Sequence, residues 1–108
     1  MTESDFIGRW AITEMETWDE DATALSGPPF IEFRPEGLGE FRFVAVHGFM
    51  DVRYSAGERA RAEFSWDGDD DGTPTSGRGW AELVDSDRLS GRFFLHLGDD
   101  SSFDATRE

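Results

Sequence analysis

No cysteine, lysine, asparagine or glutamine occurs among the 108 residues of the chain. Without cysteine there is no disulfide framework, no thiolate nucleophile, no Cys-ligated zinc and no need of an oxidising compartment. Without lysine, all ten cations are arginine, set against 24 Asp and Glu for a net charge of −14. The arginines are dispersed along the chain, whereas phosphate contacts require clustered cations. Nucleic acid and anionic membrane are therefore poor partners. Codon bias in a GC-rich genome accounts for such a composition. A salt-adapted surface is the rival account, since dense carboxylates keep a chain soluble. Long apolar runs are also missing. Residues 1–30 show neither a secretory signal nor a membrane span, so a soluble cytoplasmic protein is the expectation. No cofactor signature is read from the sequence.

What the chain has instead is rings. Ten Phe, four Trp and one Tyr accompany twelve Gly. Aromatics bury large areas each, so they build a core where aliphatic residues are few. A chain of this length forms one domain, 1–108, able to bury one modest core. A helical turn is expected at Thr2–Phe6 and a short helix within "DEDATALSG" (19–27), closed by Gly27 and Pro28-Pro29. Elsewhere the residues alternate as short strands: 9–18, 30–33, 40–47, 49–54, 59–66, 78–84, 89–97 and 102–107. Gly48 reads as a tight reversal, and "DGDDDGTPTSG" as an acidic loop. Seven or eight strands with almost no helix predict an all-β antiparallel meander, closed into a barrel or folded as a sandwich. Crossover helices for a parallel sheet are lacking.

Residues 6–10, "FIGRW", resemble the F-x-G-x-W start of fatty-acid-binding proteins and the G-x-W start of lipocalins, both in the calycin superfamily. The resemblance implies a lipocalin-like barrel, Trp10 plugging its closed end, and a late arginine lying across that indole. Arg107, in "FDATR", stands at the matching place. The chain is shorter than ordinary family members and has room for one helix after the first strand, not a two-helix lid. The Arg-x-Tyr pair that grips a fatty-acid carboxylate has no counterpart in "SSFDATRE". The stretches "SGRGWA" and "GRFFLHLGDDSSFDA" also resemble small uncharacterised bacterial proteins, some of them carried on mobile gene cassettes.

Glu14 and Glu16 lead the candidate site residues. Uninterrupted alternation sends both inward beside Trp10 and Ile12, where a buried carboxylate needs a partner or a proton. A bulge near Glu14 sends Met15 inward and both glutamates to water. Phe43, Tyr54, Trp66 and Trp80, with Phe41, Phe64 and Phe93, are either core or pocket lining, because a small barrel is filled by side chains or holds one small ligand. His96 and His47, each near a strand end, supply a polar group, a metal ligand or half of an acid–base pair. Asp67, Asp69 and Asp71 with Gly72 match D-x-D-x-D-G, the first half of a calcium loop. The twelfth position is Arg78 where a bidentate Glu is needed, which leaves calcium a weak candidate and assigns no other metal. Ser101 or Ser102 with His96 and Asp99 supplies the groups of a hydrolase triad, but lacks a nucleophile-elbow context.

The leading functional expectation is a non-enzymatic module that binds a small, mostly apolar molecule, with Glu14 and Glu16 orienting its polar end. The ligand site then comprises Trp10, Glu14, Glu16, Phe43, Tyr54, Trp66, Trp80 and His96. The alternative is an acidic protein-interaction domain with a filled barrel, like an immunity or inhibitor protein, steered to a basic partner. A small enzyme using a carboxylate–His pair is the third class. No catalytic residue is assigned, and a homodimer is the ordinary oligomer for such domains.

Overall fold

Alternation along the chain produces eight strands that join in sequence order into a closed antiparallel barrel. The computed structural model describes residues 2–108. A helical turn α1 (Thr2–Phe6) precedes β1 (Gly8–Met15), and a four-residue helix α2 (Glu20–Thr23) leads to β2 (Phe30–Arg34). There follow β3 (Leu38–Phe43), β4 (Val46–Ser55), β5 (Arg61–Asp70), β6 (Thr73–Asp85), β7 (Arg88–Leu95) and β8 (Asp100–Arg107). Strand β8 returns to β1, pairing Trp10 with Arg107 and Met15 with Phe103. Among the described residues, no helix is long and apolar enough to cross a membrane.

Much of the interior is made by placing a large side chain opposite a glycine on the neighbouring strand. Phe41 pairs with Gly48, Trp66 with Gly77, Phe64 with Gly79, Phe103 with Gly91 and Met50 with Gly39. These glycines are small because the facing side chains and neighbouring-strand carbonyls occupy their side-chain space. A Cβ on Gly77 would lie 2.9 Å from the Trp66 indole, and one on Gly48 would lie 2.5 Å from Phe41 and 2.9 Å from Trp66. The rings thereby reach across the barrel. Phe93 sits in the middle, its centroid 4.7 Å from Phe41, 4.7 Å from Phe43, 4.6 Å from Phe103 and 5.7 Å from Phe64. Phe41 meets Trp66 edge-on at 5.0 Å. Small barrels are commonly filled in this way.

The bottom of the barrel is stoppered where the Gly-x-Trp start placed it. Trp10 is fully buried and its Nε1 donates to the Phe6 carbonyl at 2.9 Å. The Arg107 guanidinium lies 4.1 Å over the indole. It also donates to the carbonyls of Asp5 (2.7 Å), Ile7 (3.2 Å) and Ser86 (3.1 Å). One cation thus ties α1, the start of β1 and the β6–β7 turn to the plug.

Three local expectations are corrected. Gly48 lies inside β4, and the reversal falls one turn earlier, at Val44-Ala45. Val44 takes a left-handed backbone (φ 54), held by donation from its N–H to the Thr23 carbonyl at 2.8 Å. The helix expected over 19–27 closes after Thr23, with Asp19 capping it by accepting from Ala22 N–H at 2.9 Å. The acidic segment is a hairpin, not a loop. Asp71 (φ 52) and Gly72 (φ 90) form its two-residue turn, with Asp70 paired to Thr73. Positive φ at both central residues is what an Asp-Gly hairpin turn demands. Asp67 and Asp69 accordingly sit in the β5 ladder opposite Ser76 and Pro74. Among the described residues no group of His, Asp and Glu converges to hold a metal.

Two stability outcomes follow. Gly48→Ala drives a methyl group into two rings, so the urea midpoint should fall by an equivalent of about 1–3 kcal/mol with the slope unchanged. Arg107→Lys keeps the charge but loses the planar fork, and should cost about 1–3 kcal/mol in the same assay.

Candidate binding groove

Strand β1 carries one residue too many for its partner. Ile12 pairs with Ala105 and Glu14 with Asp104, leaving Thr13 as a bulge whose Oγ1 donates to the Asp104 carbonyl at 3.2 Å. The phase flips there. Met15 turns into the core, while Glu14 and Glu16 face out. Of the two placements the sequence allows, the bulge is the one realised, so both glutamates face water instead of the interior and their desolvation cost is avoided. Glu16 pairs with Arg92 at 2.9 Å, and Arg92 also holds Asp100.

On its other side β1 loses its neighbour. The β1–β2 ladder runs from Gly8–Phe33 to Ala11–Phe30, and its last bond is from Ile12 N–H to the Pro29 carbonyl at 3.0 Å. Pro28 and Pro29 have no N–H to offer, so the ladder cannot continue upward. The chain instead swings out through α2 and leaves a groove of about 690 Å³ between α2 and the upper part of β1. Ile12, Met15, Trp18, Ala24 and Pro29 give it an apolar lining, and Glu14, Asp19 and Glu20 supply carboxylates. Among the described residues no cationic side chain lines it. Trp18 is held by its ring contact with Phe43 (5.5 Å), and α2 by the Thr23–Val44 bond. The chemistry of this lining suits a positive group attached to an apolar body.

The other expected site residues are not gathered here. Trp10, Phe43 and Trp66 are buried core. Tyr54 closes the bottom, its ring 5.4 Å from Phe6. Burial, and then the charge of Glu3, push its phenol up to about 12. Trp80 is corrected to the outer face: Ala81 is the inward residue of its pair with Ala62, so the indole turns out beneath Arg61 at 4.3 Å. His96 is likewise exposed, in the β7–β8 turn, with its backbone N–H on the Ser76 carbonyl at 2.8 Å. Ser101 is fully buried and structural: its Oγ accepts from Thr17 N–H at 3.1 Å and donates to the Ser102 carbonyl. Sequence reading missed Trp18 and Pro29, although a Trp and a Pro pair flanking one acidic segment were the available signal.

Across the outer faces of β1 to β4 runs a chain of ion pairs. Arg9 meets Glu32 at 3.0 Å, Arg34 meets Glu32 at 2.8 Å, and Glu40 accepts from both Arg34 and His47. The Arg34 guanidinium, then Arg9, hold the Glu32 carboxyl below its ordinary value. His47, then Arg34, do the same for Glu40. Glu32 and Glu40 face each other across the ladder, and Arg34 between them removes the repulsion.

Comparison with protein-family models, curated proteins and solved structures finds no match.

The lowered carboxyls set a pH dependence. A carboxylate whose folded pKa is depressed contributes stability above its unfolded value, 4.5 here, and loses it as pH falls toward the folded value. Urea midpoints taken from about pH 6 to pH 3 should fall on acidification, and Glu40→Gln should flatten that fall while lowering the neutral-pH midpoint.

Proposed function

We propose that this chain is a calycin-like barrel acting as a binding module without a catalytic centre, which takes a basic protein partner on its acidic exterior, in the manner of an immunity or inhibitor protein. The observation that carries this reading is the filled interior. Phe93 contacts four other rings at the place where a carrier keeps its ligand. The carboxylates meanwhile point outward, and a surface with 24 acids and ten arginines steers encounter with a positive partner. Kinship with calycins is supported by the Gly8–Trp10 start, the eight-stranded meander and the Arg107 guanidinium on Trp10. A cytoplasmic location goes with the absence of cysteine.

The second reading, a small apolar molecule with a cationic head, is favoured by the groove beside β1, whose volume and lining fall within the range for such ligands. Its site is then Ile12, Glu14, Met15 and Trp18 rather than the aromatic interior. An enzymatic reading finds less support, because the carboxylate–His pair Glu40–His47 belongs to the outer ion chain, with Arg34 on the other carboxylate oxygen.

Affinity capture from the source cell, identification of the captured protein and reconstitution from purified components test the proposal. The expected partner is basic, and its affinity drops at least about tenfold when salt rises from roughly 0.05 to 0.5 M. A neutral or acidic partner insensitive to salt overturns the reading. So does a small molecule bound stoichiometrically, with no basic protein recovered.

A further inference from the structure

The interruption of the β1–β2 ladder leaves something more specific than an acidic face. Above Ala11 the strand β1 has no strand beside it on the α2 side, so the backbone from Thr13 to Met15 borders the groove directly. Extended peptides bind at such edges by adding a strand: main-chain hydrogen bonds give affinity, and pockets for alternate side chains give selectivity. The groove supplies both halves of that arrangement. Its apolar lining, Ile12, Met15, Trp18 and Pro29, receives one side chain, and Glu14, Asp19 and Glu20 receive the charges on either side of it. Among the described residues no cation lines the groove, so a basic segment meets no repulsion there. A second copy of this chain is a poor occupant, because both surfaces carry the same large negative charge.

We infer that the groove between β1 and α2 docks an extended segment of the basic partner, arginine or lysine alternating with apolar residues, laid along Thr13–Met15. The inference rests on the protein-interaction reading and names its contact surface. The bulge at Thr13 then has a recognition role, since it turns Glu14 out toward the groove and Met15 into its floor. The Pro28-Pro29 pair holds the slot open by withholding the N–H groups that would close the ladder.

The test uses the full chain and a capped five-residue peptide alternating arginine with valine, followed by isothermal calorimetry and amide hydrogen exchange. Expected are saturable binding weakened by salt and slower exchange over residues 13–15 and 19–24. The double variant Glu14→Lys with Glu20→Lys should weaken binding at least about tenfold. Glu58→Lys with Asp87→Lys changes the net charge equally in the β4–β5 and β6–β7 turns, at the Trp10 end of the barrel away from α2, and should weaken it no more than about threefold. All four positions are exposed, so the fold should tolerate both pairs. Equal weakening by the two double variants overturns the groove as the site and leaves the acidic-surface reading standing. Retention of full affinity by both overturns the reading itself. Phenethylammonium bound in the groove as tightly as the peptide overturns strand addition in favour of a small cation. Protection confined to other strands overturns the inference as well.

Discussion

Everything in this barrel depends on large rings being set against missing side chains. Phe41, Phe64, Trp66 and Phe103 can enter a ring of eight strands only because Gly48, Gly79, Gly77 and Gly91 face them across the ladder. The arrangement gives a short chain a dense core with few aliphatic residues. It also fixes the register, since sliding a strand by one residue would send its rings to water and put its charged neighbours inside. Composition that looks poorly hydrophobic is, by volume buried, a core made of aromatics and gaps.

Filling the centre determines where function can reside. With Phe93 in the middle, the opportunities for recognition lie on the outside, and the outside is anionic. That surface is not featureless. Over β1 to β4 the charges are neutralised pairwise through Arg9, Arg34 and His47. Around α2 the carboxylates line a groove whose described lining residues include no cation. The two regions differ in what they leave available: the first satisfies its own charges, and the second presents them.

Much of this was legible in the residues. The Gly8-x-Trp10 start and a late Arg107 located the plug, and alternation over residues 59–66 marked the strand that carries Phe64 and Trp66 inward. The illegible parts share a cause, which is that a single strand's pattern does not show its partner's count. Thr13 is a bulge only relative to β8, so the sequence offers the bulge as one of two placements for Glu14 and Glu16, and only the pairing decides between them. Gly48 resembled a turn because glycine usually marks one, whereas here it yields space to Phe41. Trp80 alternates in phase with outward residues, yet its size alone suggested burial. The hairpin at Asp71-Gly72 was different. Its dipeptide is a strong turn signal, obscured by the surrounding acids and their likeness to a cation-binding loop.

The paired prolines before β2 have one more consequence. Closing a sheet into a ring normally abolishes the free edges through which β proteins aggregate. This ring keeps one short edge, from Thr13 to Met15, with α2 standing across from it and Glu14 projecting from its midst. So brief a template, guarded by a negative charge, falls short of the about six or seven residues over which cross-β segments stack. Pro28 and Pro29 therefore concede a single place of vulnerability, kept below the length at which stickiness turns into disease of the fold.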